Sequence, residues 1–178
     1  MKVAIASDIH GSYTYARAFL SAAKKLGAKK YVLLGDLYYH GIRNPLPDGY
    51  APMQVAELLN ARAKSLLVVR GNCDSDVDLT VSKFDFASSL ILDIAGKTVY
   101  CTHGDKYDKV HLPKGKFDVF LYGHYHTGFI EKRDGIIVAN PGSISLPKGG
   151  TERSFLFWDE NKLTLYSLQG DILAETEV

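Results

Sequence analysis

The chain has 178 residues, enough for a full hydrophobic core without disulfide staples. Its 21 Lys and Arg against 20 Asp and Glu leave a net charge of +1, a balance that advertises no nucleic-acid partner. Only two cysteines occur, no apolar run reaches membrane-spanning length, and Asp8 interrupts the N-terminal apolar stretch too early for a signal peptide, so a reduced, cytoplasmic protein is expected.

In chain order, Val3–Ala6 reads as a buried strand. Ser12 is placed to cap a helix that carries Ala16, Phe19, Leu20, Ala23 and Leu26 on one face, and Gly27 stops it. A strand at Tyr31–Leu34 follows, then an irregular stretch from Leu37 to Gly49 broken by Gly41, Pro45 and Pro47. A helix from about Pro52 turns Val55, Leu58 and Leu59 inward. A strand at Leu66–Val69 completes a βαβαβ pattern, which implies parallel pairing with right-handed crossovers.

After Asp74 the helices thin out. Leu90–Ile94 and Thr98–Cys101 flank Ala95-Gly96-Lys97, a hairpin signal. Strands are expected at Val119–Tyr122, Gly128–Lys132, Ile136–Ala139, Phe155–Trp158, Leu163–Ser167 and Ile172–Glu175, with turns at Asp134-Gly135 and Glu160-Asn161. A parallel front half and a hairpin-rich back half predict an α/β fold of two sheets packed face to face with helices outside. No linker or repeat divides residues 1–178, so a single domain is expected. The stripe Phe155, Phe157, Trp158 with Tyr166 reads as sheet core or a subunit contact.

The apolar runs end in a pattern of their own. Lys2–Ala6 leads into Asp8 and His10, Tyr31–Leu34 into Gly35-Asp36, and Leu66–Val69 into Arg70-Gly71-Asn72-Cys73-Asp74. Thr98–Cys101 leads into His103-Gly104, and Val119–Tyr122 into Gly123-His124-Tyr125-His126. Strand ends are rigid mounts for ligands, and open α/β sheets carry their sites at strand carboxyl ends. Asp8, His10, Asp36, Asn72, His103, His124 and His126 are too many donors for one tetrahedral zinc. They suit two divalent cations sharing a carboxylate, the layout of a two-metal hydrolase of phosphate esters. Asp8-x-His10 and His124-x-His126 converge if the chain is extended there, because residues two apart then project to one side.

Taken together, Asp8-Ile9-His10, Gly35-Asp36, Gly71-Asn72-Cys73-Asp74, Thr102-His103-Gly104 and Gly123-His124-Tyr125-His126 resemble the calcineurin-like metallophosphoesterases. Asn140-Pro141-Gly142-Ser143, the compact length and the Asp36–Pro52 stretch fit the family's branch of small bacterial and archaeal phosphodiesterases. The resemblance implies a four-layer α/β/β/α sandwich of two mixed β-sheets flanked by helices. It assigns Asp8, His10 and His126 to one metal, Asn72, His103 and His124 to the other, and Asp36 to the bridge. Manganese is favoured for mixed Asp, His and Asn ligation without thiolate, with zinc, nickel, iron and cobalt as alternatives. Two such cations with Asp8, Asp36 and a bridging hydroxide leave about one positive charge to attract an anionic phosphate. The implied reaction is in-line attack of that hydroxide on a small phosphodiester, with Asn72 and His103 among the catalytic groups.

Two positions depart from the family pattern. Many relatives carry histidine where Cys73 stands, and that histidine is credited with protonating the leaving alkoxide. A thiol is a weak donor, so poor activity on alkyl phosphomonoesters is expected. Tyr39 replaces a second acid, while Asp74 remains and is expected to orient a ligand histidine. Asn72, His40 and Arg43 are the candidates to contact substrate, the last two lining its rim with Arg43 as a planar donor fork for phosphate; the alternative for His40 and Arg43 is a plain surface loop. His111 reads as a loop residue.

Two rival functions stay open: a protein-interaction scaffold of the same fold, and a metal-dependent nuclease. Exposed edge strands and the aromatic stripe leave room for a homodimer or homotetramer.

Overall fold

Val3–Ala6, buried throughout, forms β1 near the middle of the larger of two sheets in the computed structural model, which describes residues 1–178. β1 pairs in parallel with β2 (Lys30–Leu33), β2 with β3 (Leu66–Val69), and β3 with the two-residue β4 (Phe86–Ala87). On its other side β1 runs antiparallel to β10 (Ser154–Asp159), which continues antiparallel into β11 (Lys162–Ser167) and β12 (Ile172–Glu177). The second sheet has the order β5 (Leu90–Ile94), β6 (Lys97–Thr102), β7 (Val119–Tyr122), β9 (Ile136–Pro141), β8 (Gly128–Arg133). Its central β6, β7 and β9 are parallel and its two edges antiparallel, so both sheets are mixed, as expected. Both residues of Ala95-Gly96, between β5 and β6, have positive φ (54° and 79°), the signature of a two-residue type I′ turn.

Alternation along the strands separates the layers. Val3 and Ile5 of β1, Leu156 and Trp158 of β10, and Val119 and Leu121 of β7 meet in the core between the sheets. Ala4 and Ala6 of β1, with Phe155 and Phe157 of β10, face outward onto α1 (Tyr13–Lys25) and α2 (Pro52–Asn60). The aromatic stripe is therefore sheet core, with Trp158 on the face opposite to Phe155 and Phe157. Ser12 caps α1 by accepting the Tyr15 N–H at 3.3 Å, and Lys24 and Lys25 lie in the last turn, where cations favour the helix dipole. On the outer face of the smaller sheet, Phe120, Tyr122 and Val138 are covered by Leu112 and Phe117 from the irregular segment between β6 and β7. That covering layer is irregular chain, and the helices gather on the larger sheet.

One α-helix has no counterpart in the expectations above: α3 (Asp76–Val81) begins directly after Asp74. Its start is a capping box in which Ser75 and Asp78 exchange side-chain-to-backbone bonds.

Candidate metal centre

The carboxyl ends of β1, β2, β3, β6 and β7 open at one edge of the sandwich, and the loops that leave them are sewn together by backbone bonds. Asp8 N–H donates to Gly35 O (3.1 Å), His10 N–H to Asp36 O (2.9 Å), and Gly123 N–H to His103 O (2.6 Å). Two bonds cross between the sheets. His124 N–H donates to Asp8 Oδ2 at 2.9 Å, and His103 Nδ1 donates to Leu34 O at 2.7 Å. Two glycines allow this approach. A side chain at Gly71 would fall on Asp36 Oδ1, and one at Gly123 on Ser7 Oγ.

The backbone at these ends is turned, and not extended as the two-residue spacing suggested. Asp8, His10, Asp36, His124 and His126 all have φ between 48° and 66°. Left-handed geometry is costly for residues with a Cβ and collects at functional turns. Asp8 and His10 still converge, with His10 Nε2 3.6 Å from Asp8 Oδ1. His124 and His126 do not act as one pair: His126 Nε2 lies 3.2 Å from Asp8 Oδ1, while His124 Nδ1 lies 3.2 Å from His103 Nε2.

Two groups of donors result, with Asp36 between them. His10 Nε2, His126 Nε2 and Asp8 Oδ1 gather at one end, and Asp36 Oδ2 stands 3.7 Å from His10 Nε2. At the other end His103 Nε2 is 3.0 Å from Asn72 Oδ1, 3.2 Å from His124 Nδ1 and 3.5 Å from Asp36 Oδ1. Donors about 2.0–2.2 Å from a shared cation lie about 3–3.5 Å from one another. The spacings match the edges of two such shells.

The protonation pattern points the same way. Nδ1 of His10, His103 and His126 each meets a backbone carbonyl (Tyr39, Leu34 and Leu146, at 2.8, 2.7 and 2.6 Å), and a carbonyl only accepts. Each neutral ring therefore turns an Nε2 lone pair into a cluster that already holds two carboxylates. Asp8 Oδ1 is buried without a hydrogen-bond partner. Such an acceptor-only cluster needs positive charge. Without metal, protons supply it. Burial opposes a charged His103, yet its bond to Asp36 and the charges of Asp8 and Asp36 lift its pKa to about 9. His10 is raised in the same contest by Asp8. Burial would raise the pKa values of Asp8 and Asp36, but their histidine neighbours hold both below the usual carboxylate range. His124 is lowered by burial and by the His103 charge. The donor set fits two divalent cations.

Asp74 does not orient a histidine, as had been expected, because the backbone carbonyls already occupy that role. Its Oδ2 accepts the N–H groups of Asp36 (2.8 Å) and Gly71 (2.7 Å), and its Oδ1 accepts that of Leu37 (2.8 Å). Burial pushes this carboxyl up to about 6 against the pull of those donors. Cys73 N–H donates to Asp36 Oδ1 at 2.8 Å, so the Asn72–Asp74 turn braces Asp36 from both directions. Ser143 and Ser145 hydroxyls both donate to Asp8 O (2.7 and 3.0 Å), contacts that motif spacing around Asn140-Pro141-Gly142-Ser143 did not reveal.

A cleft of about 790 Å³ opens over the cluster. Arg43, Cys73 and Asn72 line it together with His124, His126 and Asp36. His40 does not: its ring packs edge-on against Tyr39 and Tyr50, and the wall there is built from Gly41 to Pro45. Burial and the Asp36 charge raise the Cys73 thiol to about 12, so it is neutral, and Asn72 Nδ2 points at its sulfur from 3.3 Å. His111 is exposed beside Asp108, away from the cleft. Lys148 lines the cleft as well, and no sequence motif marks it.

Residues 1–162 match the model of the calcineurin-like phosphoesterase superfamily domain. The chain is 40% identical to phosphodiesterase YfcE of Escherichia coli over 181 aligned positions, covering 100% of this chain and 98% of that protein. The solved structure of that phosphoesterase superposes with a TM-score of 0.96 over 99% of both chains. Vacuolar protein sorting 29 of Cryptosporidium parvum shares the fold at a TM-score of 0.69 and 16% identity, covering 99% of this chain and 98% of that one.

Proposed function

The chain belongs to the calcineurin-like phosphoesterase superfamily, and on that premise we propose that it is a two-metal phosphodiesterase acting on small phosphodiesters. The observation that carries this reading is the buried cluster of Nε2 lone pairs and carboxylates, with Asp36 presenting one oxygen to each donor group. Asp8, His10 and His126 would hold one cation, Asn72, His103 and His124 the other, and Asp36 both. Two divalent cations held there would supply a water acidic enough to attack at neutral pH and would neutralise charge on the phosphoryl oxygens. Manganese suits this oxygen and imidazole set, with zinc, nickel, iron and cobalt as alternatives for a test.

The chain's own groups do the rest. Arg43 offers a planar fork to the phosphate at the cleft wall. Asp74 and the Cys73 N–H fix the Asp36 carboxylate, so its position is set before substrate arrives. Cys73 stands at the mouth as a neutral thiol and a weak proton donor. A leaving group that is stable as an anion is therefore cleaved well, and an alkyl monoester poorly.

A scaffold needs no acceptor-only cluster at the floor of an open cleft, which favours chemistry over that rival. The test is hydrolysis of bis-p-nitrophenyl phosphate beside p-nitrophenyl phosphate by metal-stripped protein, with each divalent ion restored in turn. Diester cleavage that returns with metal and is absent in Asp36→Ala supports the reading. Confirmed metal binding with no cleavage under any ion overturns it.

A further inference from the structure

Lys148 has no place in the chemistry just described, yet it lines the same cleft as His124, His126 and Arg43. Its backbone is locked to the centre. Lys148 N–H donates to His126 O (3.0 Å), and Lys148 O accepts from the Thr151 N–H (3.2 Å) and hydroxyl (2.8 Å). The next link is Leu146 O, which accepts His126 Nδ1. Lys148 and Arg43 are both exposed to the solvent of the cleft, and neither the ammonium nor the guanidinium makes an ion pair or hydrogen bond within the protein. Among the residues of this cleft the only carboxylate is Asp36, which is occupied by histidines and backbone N–H groups.

The charges do not balance for a simple diester. A phosphodiester carries one negative charge, which the loaded metal centre, about one unit positive, already matches. Arg43, given to that same phosphate, already takes the positive charge one unit past the match. Lys148 comes from a different segment, 142–151, and is a second, unpaired cation with nothing on such a substrate to meet. From this surplus, and resting on the reading above, we infer that the substrate is a phosphodiester bearing a further anionic group, a phosphate or carboxylate on one ester arm, and that Lys148 is the residue that selects it. Binding energy taken from such a remote group raises specificity without touching the bond that breaks.

A matched pair of substrates tests this: thymidine 5′-(p-nitrophenyl phosphate), and the same diester carrying a 3′-phosphate. The expected result is a KM about tenfold lower for the 3′-phosphorylated compound, the scale of one charge-assisted contact. Lys148→Gln collapses that ratio toward one, Lys148→Arg keeps it, and rising salt shrinks it. Calorimetric affinities for thymidine 3′,5′-bisphosphate against thymidine 5′-monophosphate, with and without Lys148→Gln, give the same comparison without turnover. Loss of bis-p-nitrophenyl phosphate cleavage under every metal speaks against the phosphodiesterase reading, whereas the binding difference reports on Lys148 alone. An extra phosphate that brings no gain, or a Lys148→Gln variant weakened equally toward both compounds, overturns the inference.

Discussion

His10 and His126 point their Nε2 atoms at each other across 3.1 Å, while each ring donates its Nδ1 proton to a backbone carbonyl. Two lone pairs at that distance repel, and only a cation or an acquired proton relieves them. Metal removal should therefore cost stability as well as activity. An ion at one hundred times its Kd contributes about 2.7 kcal/mol, which for a chain of this size is roughly 5–10 °C in Tm. Scanning calorimetry of chelator-stripped protein, with and without manganese, should show that gain, and His126→Ala should lose most of it. A Tm indifferent to every divalent ion would mean that the cluster is satisfied without metal.

Asp74 touches no candidate metal, yet Asp74→Asn should be among the more damaging single-atom changes. Three N–H groups converge on its two oxygens. An amide must turn an NH₂ group toward at least one of them, leaving a buried donor facing a donor at a cost of about 1–3 kcal/mol. The Asp36 turn, held at a φ of 57°, loses its brace. The expected variant is folded, with a lower Tm, weaker metal affinity by calorimetry and at least a tenfold lower kcat. Wild-type metal affinity in a folded Asp74→Asn protein would show that the brace is not needed.

Much of this was readable from residue order because the strands that carry the site are short, apolar and each punctuated by glycine. The donors at their ends, from Asp8 to His126, fall where the geometry brings them together. What escaped had no periodic signal. α3 is six residues of mixed polarity whose only sign is the Ser75-x-x-Asp78 box. The left-handed turns at Asp8, His10, Asp36, His124 and His126 break the rule that residues two apart share a side, so both pairs reach the one cluster by turned backbone and not by extended chain, and His124 and His126 fall to different donor groups within it. Asp74 was legible as a nearby acid, but its partners are backbone N–H groups, which a sequence does not display. Lys148 is tied to His126 through backbone bonds between segments about twenty positions apart, and a lone lysine beside glycines carries no motif.

Arg43 is separable from the centre because it lies on the cleft wall and pairs with no carboxylate. Arg43→Ala should raise KM for bis-p-nitrophenyl phosphate about tenfold, the scale of a charge-assisted contact. Metal affinity should stay unchanged, since no candidate ligand rests on this side chain. Steady-state kinetics beside a metal titration separates the two effects. An unaltered KM would remove Arg43 from the substrate's path and return the 37–49 segment to a surface loop.

Cys73 tests how the leaving group departs. Its sulfur borders the cleft, receives the Asn72 amide and stays protonated, so it offers little as an acid at neutral pH. A histidine there has room to face the cleft, because the position is half-buried and opens on the same wall. General acid catalysis contributes about 10²–10⁴-fold where the leaving group is poor and little where it is good. Cys73→His should therefore raise the rate on alkyl phosphate esters at least tenfold and leave the p-nitrophenyl diester rate within a few-fold of wild type. A ratio of alkyl to aryl rates equal to that of the wild type would show that protonation at position 73 is not what limits the poor substrates. The limit would then lie in how the cleft positions them.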